Sequence, residues 1–464
     1  MNRNLQTMTT VFILIAMILV GCAPKVTPAA TQAPANPVPA TAAPATQAPS
    51  TQAPATQVPT VAGNPIRIWL TWPEAPAKMQ AYFDGFTAET GIKTEVTTNA
   101  PYDKIIAGMS GTSAFDLLIL GDIYSVSMFA DNELIQPMDN IISTQKIDVN
   151  DMYTGPRTEC NYKGKYFCLP WGTDDYALFW NKDMFEAAGL DPNKPPETME
   201  QMLDYADKLT KTDAQGNLTQ VGFIPDFPWE HSDLYLAMYG STWQSADGTK
   251  IQFDTPEMLA MMKWQQQFYT RYGADKVSRF LASAGNYKGA DSGFYTNKIA
   301  MLVDGEWQPG VDYLQKYRPD MNYGITSMPY PAARPDLKGT VVLWGTVVEV
   351  PSNAQNLDET SKLIAWMMLP KNQTDMMIQI PNLPSSHAAA ADPRWATLPD
   401  LQIFIDMMNS AKAQPIYVGP ETYDILTAIS TIQEEMFLKG ADVATLLKST
   451  QTDLQTKLDA ALKK

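Results

Sequence analysis

Four tryptophans of this 464-residue chain sit where an indole face could meet a solute: Trp72 in Thr71-Trp72-Pro73-Glu74, Trp171 in Trp171-Gly172-Thr173-Asp174, Trp229 in Pro228-Trp229-Glu230, and Trp307 in Gly305-Glu306-Trp307. Each lies beside Pro, Gly, Asp or Glu in a loop-like stretch, and loops carry function more often than core does. Trp69, Trp180, Trp264 and Trp366 lie within apolar runs instead and read as core. Aromatic faces against C–H groups, with carboxylates and amides for a rim of hydroxyls, are the chemistry of holding a sugar. A glycosidase needs the same residue types, with two carboxyls about 5 Å or about 6.5–9.5 Å apart according to mechanism. Asp174, Asp175 and Glu306 could serve, and their separation is not written in the sequence. Other catalysis has little material. The chain has 2 histidines, His231 and His387, and no Gly-x-Ser-x-Gly, His-Glu-x-x-His or Gly-x-x-x-x-Gly-Lys.

The formal net charge is −16, and Arg3 and Lys25 are the only charged residues before Asn64. So acidic a chain argues against nucleic acid and against adhesion to anionic lipid. It mildly disfavours a phosphorylated ligand and says little about a neutral one. Of the 3 cysteines, Cys160 and Cys168 flank Lys163-Gly164 in a strand–turn–strand pattern. In a secreted chain such a pair reads as a disulfide across a hairpin, with two free thiols as the alternative. Neither histidine pairs with a cysteine at ligand spacing, so no metal site and no cofactor are expected.

The amino-terminal stretch gives an address. Arg3 precedes an apolar run from Val11 to Val20, too short to cross a bilayer, for which about 20 residues are needed, but laid out like a secretory signal peptide. Leu19-Val20-Gly21-Cys22 resembles the lipobox of bacterial lipoproteins, which implies removal of residues 1–21 and lipid on Cys22, the membrane being reached through that lipid only. An uncleaved anchor or a coincidental cysteine is the alternative. Residues 23–62 hold nine prolines, one Lys and no acid, a composition that cannot bury enough apolar surface to order itself. Residues 22–63 therefore read as a tether.

From Asn64 onward strands and helices alternate. Strands are expected at Ile66–Leu70, Lys93–Thr97, Phe115–Leu120, Ala177–Trp180, Val221–Ile224, Ile299–Val303 and Val341–Val350. Helices are expected at 75–89, 102–109, 197–210, 256–271, 358–369 and 421–438. The alternation implies βαβ units and doubly wound α/β sheets. One sheet rarely takes so many strands, so two lobes are expected.

Five separate segments resemble the family 1 extracellular solute-binding proteins, the maltose-binding type of lipoprotein that serves ABC importers. They are Tyr102–Met109; Phe115-Asp116-Leu117-Leu118; Leu134–Asp139; Asn181-Lys182-Asp183-Met184-Phe185 with Ala188-Gly189-Leu190-Asp191; and Phe294 through Ala300-Met301 to Gly305-Glu306-Trp307. Asn297 stands where that family usually has Gly. The resemblance spans nearly all of residues 64–464. It implies a type II periplasmic-binding-protein fold, α/β, with lobes at 64–174 plus 336–378 and at 175–335 plus 379–464, joined by crossing strands around a ligand cleft. It further implies a non-enzymatic receptor for a mono- or oligosaccharide, working as a monomer outside the cytoplasm with an ABC importer permease as partner. By position it implies ligand contacts from Trp72, Glu74 and Asp122 in the first lobe, from Asp174 beside the crossing strand, and from Trp229 and Trp307 in the second. Trp171, Trp344 and Tyr417 complete the expected site. Glu74 and Asp122 would serve equally as helix caps. A lipid-anchored glycosidase, or a polysaccharide-binding adhesin without a transport role, is the alternative.

Overall fold

The computed structural model describes residues 63–72, 76–121, 123–228, 231–410, 412–414 and 419–463, all within the unit Gln57–Lys464. The expected leader and tether with Cys22, and the expected contacts Glu74, Asp122, Trp229 and Tyr417, lie outside the described residues.

Strands β1 (Ile66–Leu70), β2 (Thr94–Thr97) and β3 (Leu117–Leu120) are parallel, with β1 between the other two. Helices Pro76–Thr90 and Tyr102–Ser110 connect them, as the alternation implies. The first buries Met79, Tyr82, Phe83 and Phe86, and ends at Gly91, whose φ of 76° suits a residue without a side chain. Six further strands complete a nine-stranded sheet: β4 (Leu169–Asn181), β5 (Met301–Gly305), β6 (Tyr323–Thr326), β7 (Val341–Glu349), β8 (Leu383–Pro384) and β9 (Ala413–Gln414). The order is β6-β4-β7-β3-β1-β2, with β5 and β8 also on β4 and β9 on β7. Successive strand residues point to opposite faces, and the two cores divide accordingly. Ile66, Ile68, Leu117, Ile119 and Phe179 share one, whereas Leu118, Leu120, Leu178 and Trp180 share the other.

β4 organises the molecule. Its first half, Leu169–Asp175, pairs antiparallel with β7, and with β8 at Gly172 and Thr173. Its second half, Tyr176–Asn181, pairs antiparallel with β5 and β6. The sequence pattern marks only Ala177–Trp180, because Pro170, Gly172 and the Asp174-Asp175 pair interrupt the apolar run upstream. The strand persists there because β7 lies along it.

Local chemistry explains the recognisable motifs. Asn181 ends β4, and its side chain accepts from the Met184 amide at 3.1 Å, capping helix Lys182–Ala187. Asn297 has φ 58°, a left-handed conformation that Gly takes freely and Asn tolerates. Its departure from the family pattern is thus conformationally conservative. Lys163 and Gly164, with φ of 51° and 77°, turn the hairpin of Asn161–Tyr162 and Lys165–Tyr166, and Cys160 and Cys168 are joined as a disulfide with Cα atoms 4.8 Å apart. Val221–Ile224 departs from expectation: Val221 makes a single bridge to Ile299, and Pro225, which has no amide donor, follows at once. Among the described residues no helix is long and apolar enough to cross a membrane.

Candidate functional site

The changeover in β4 falls between Asp175 and Tyr176, and polar and aromatic side chains from several chain segments meet there. Tyr176 stands at the centre. Its ring meets Trp344 at 4.8 Å, Trp307 at 5.6 Å and His231 at 4.6 Å, all edge to face, the geometry that aromatic quadrupoles favour. Trp344 arrives on β7 directly opposite Asp174. Trp307 arrives from the turn after β5, where Gly305 pairs with Tyr176. A Cβ on Gly305 would lie 2.4 Å from the Trp307 ring, so only glycine lets that indole fold back onto the strand.

Carboxyl groups ring this aromatic cluster. Asp174 accepts from Asn382 Nδ2 at 3.2 Å and from Thr346 Oγ1 at 3.4 Å, and its charge acts on buried Glu306. Glu306 is fully buried and accepts from the Asp175 amide at 3.2 Å. Asp304 receives the Tyr287 hydroxyl at 2.8 Å, and that hydroxyl accepts from Trp307 Nε1 at 2.8 Å. On the other side, Asp233 receives the Tyr124 hydroxyl at 2.6 Å and Trp344 Nε1 at 3.0 Å. Glu159, the last residue of helix Thr154–Glu159, accepts from the Gly345 amide at 2.9 Å.

Burial sets the protonation of these groups. It pushes Asp174 up to about 6, against the downward pull of Asn382, Glu306 and Thr346. It pushes Asp304 up to about 7 despite the Tyr287 hydroxyl. Glu306 is held well above the usual carboxylate range, first by burial and then by neighbouring Asp174, while Asp175 and Glu159 are raised by burial too. Two carboxyls that act on each other titrate as a pair. Burial drives His231 the other way, down to about 3, so at neutral pH it is an uncharged aromatic edge. No group of His, Cys, Asp and Glu among the described residues is arranged to hold a metal ion.

Of the residues singled out from sequence, Asp174, Trp307 and Trp344 converge on Tyr176. Trp72 and Trp171 form a separate stack, with centroids 5.8 Å apart. Trp171 is fully buried, in contact with Tyr82 and Phe83; its ring supports that of half-buried Trp72, whose Nε1 lies over Gly121 at the end of β3. Tyr176, Tyr124, Tyr287, Asp233 and Asn382 escaped the sequence reading. Tyr176 had a signal, since it continues the Trp171–Asp175 run. Tyr287, Asp233 and Asn382 reach the site from regions whose local sequence carries no mark of it.

A family model described as bacterial extracellular solute-binding protein matches residues 81–403. This chain belongs to that family, whose members work outside the cytoplasm. The sn-glycerol-3-phosphate-binding periplasmic protein of Escherichia coli K12 is 23% identical over 297 residues, 61% of this chain and 64% of the relative. The match thus spans less than two thirds of that relative's length. Among solved structures, a mannotriose-bound protein named CpMnBP1 superposes with a TM-score of 0.73 at 23% identity, covering 84% of this chain and 99% of that one. An ABC transporter solute-binding protein from Thermotoga lettingae, bound with α-D-tagatose, superposes with a TM-score of 0.68 at 22% identity, covering 85% and 100%. The fold is the two-lobe α/β type of periplasmic binding proteins.

Proposed function

We propose that this protein is a lipid-anchored receptor that captures a carbohydrate between its two lobes and delivers it to an ABC importer. The observation that carries the reading is the meeting of Tyr176, Trp307 and Trp344 with Asp174 at the changeover of β4. Apolar ring faces and buried acceptors are thereby combined at the strand that passes between strand groups. We assign residues 64–174 and 336–378 to one lobe and 175–335 and 379–464 to the other, so that the changeover marks the passage between them. Rotation about such a crossing closes a cleft without deforming either lobe. Trp72, supported by Trp171, is proposed to face the solute from the first lobe, and Glu74, Asp122, Trp229 and Tyr417, outside the described residues, are proposed as further contacts on the family resemblance alone.

Sugars and oligosaccharides in saturable binding should quench or shift tryptophan fluorescence and raise the melting temperature, without release of product. Product formation would make the protein a hydrolase. Binding only to insoluble polymer, with no compaction in small-angle scattering, would make it an adhesin. The anchor has its own test: protein extracted from membranes should begin at a diacylated Cys22, and a start at Met1 or an unmodified Cys22 contradicts the anchoring.

A further inference from the structure

We propose that the solute is an amino sugar, a hydroxylated ring bearing a protonated amine seated against Asp174 and Glu306, with Asp175 behind them and the Tyr176 and Trp307 rings beside it. This rests on the reading of the cleft as the solute site and names the class of solute.

The site has acids without cations. Asp174, Asp175, Asp233, Asp304, Glu159 and Glu306 gather at the changeover, and among the described residues none of them takes part in an ion pair. The one cation that acts on any of them is exposed Lys288, a minor influence on Asp304. The short segments that lie outside the described residues between 64 and 463 contain three more acids, Glu74, Asp122 and Glu230, and no Lys or Arg. They bring no compensating charge.

Hydrogen bonding is also incomplete. Asp175 is fully buried, and no side chain donates to either of its oxygens, the Tyr176 backbone amide being the one donor that acts on it; Oε1 of buried Glu159 meets no donor. Oε1 of Glu306 accepts no hydrogen bond. A buried polar group left unpaired costs on the order of 1–3 kcal/mol, and a buried carboxylate without a counter-charge takes up a proton instead. An ammonium answers both deficits. It brings up to three donors and one positive charge, and it gains further from aromatic faces. A hydroxyl at the same position brings one donor and no charge, and a phosphate would repel the acids.

The titratable groups around the proposed ammonium are Asp174 and Tyr176 on one face of β4, Glu306 and Asp304 from the end of β5, and Asp233 and His231 at helix Ser232–Met238, while Asp175, opposite Leu343, lies on the other face of β4 and Glu159 lies against Gly345. Burial raises both Asp174 and Glu306 and so favours their protonated forms. An arriving ammonium displaces a proton held there.

The test uses isosteric pairs in which a hydroxyl replaces the amine: glucosamine and its β-1,4-linked dimer and trimer against glucose, cellobiose and cellotriose, with galacto and manno monomers of both kinds. Calorimetry at pH 7 in two buffers of different ionisation enthalpy reads both affinity and proton release. The expected result is that the amine member of a pair binds about tenfold tighter or more, equivalent to about 1.4 kcal/mol, and releases about one proton. Glu306→Gln should bring the two members of the pair within a few-fold of each other. Equal or tighter binding of the hydroxyl members, or an amine preference untouched by Glu306→Gln, overturns the proposal and leaves the carbohydrate receptor standing. Binding of neither series by a folded protein overturns the receptor reading as well.

Discussion

Two buried acidic regions of this molecule differ in one respect, the presence of a cation. Asp116, at the start of β3, receives the Arg67 backbone amide and guanidinium at 2.9–3.0 Å, together with the Asn356 side chain at 3.1 Å and the Gln355 amide at 3.0 Å. Burial alone would raise its pKa, but these partners hold it down to about 2. At the β4 changeover, Asp174 and Glu306 are as deeply placed and have each other in place of an arginine, and both are raised. The first arrangement is saturated: it ties β1 to β3 and to the 353–356 turn, and leaves nothing for a solute to satisfy. The second holds acceptors and protons that an incoming group can use. A complete set of partners marks a structural carboxylate, and the incomplete one is where we propose that the solute sits.

The largest expected effect comes from making the first region resemble the second. Arg67→Ala removes the guanidinium from buried Asp116, leaving it the residue 67 and Gln355 amides and Asn356, and should cost about 3 kcal/mol of stability, the lower end for breaking a buried pair. Urea unfolding reads it, and solute affinity measured on the remaining folded protein should not move. A shift in affinity would mean that the two regions are coupled.

Trp307→Ala acts oppositely, with a loss of about 1–3 kcal/mol in solute binding from the missing contact area and a melting temperature close to that of the parent. Unchanged affinity would remove Trp307 from the site.

Acidity offers a third way to separate the regions. Asp174 and Asp304 have folded pKa values of about 6 and about 7 against an ordinary 3.8. The native state therefore holds protons that the unfolded chain has released, and stability falls as pH rises from about 4 to about 7. His231, lowered to about 3, works against this by favouring the folded state as pH rises toward 6.5, but it is one group against several raised carboxyls. The melting temperature of the empty protein should drop by a few degrees over this interval, and Asp174→Asn should flatten the slope. Asp116 acts only below about pH 4, where its stabilisation is lost on acidification. A profile that rises steadily from pH 4 to 7 would contradict the assignment of unpaired acids to the changeover.

The smallest effect is expected from Tyr287→Phe. It removes the hydroxyl between Trp307 and Asp304 and should weaken solute binding by about 1 kcal/mol, the net worth of a hydrogen bond of this kind. Equilibrium titration should resolve this loss, and wild-type affinity would show that the relay does not orient Trp307.

Much of the scaffold was legible without coordinates. Ile66–Leu70 alternates as a strand must, Met79 to Phe86 repeats at helical spacing, and Gly91, Asn181 and Lys163-Gly164 carry their own backbone requirements. Asp174, Trp307 and Trp344, expected from the family resemblance, do lie around Tyr176 at the changeover. Trp171 shows the limit of such reading: its loop-like neighbours Pro170 and Gly172 belong to a strand, and its ring lies inside a core.

What the sequence determined by itself is therefore local: element type, helix ends, the turn of the disulfide hairpin, the excess of acid and the kinds of side chain available. Those properties depend on periodicity and on the conformations open to single residues, which short windows of sequence contain. Only the tertiary structure decided that β4 exchanges one set of partners for another between Asp175 and Tyr176. It alone brought Tyr124, Asp233 and Tyr287 to the indoles and carboxyls there, and withheld from those acids the arginine that Asp116 has. Such meetings join residues from 17 to more than a hundred positions apart, and strand order and register, which no local pattern encodes, decide which groups come together.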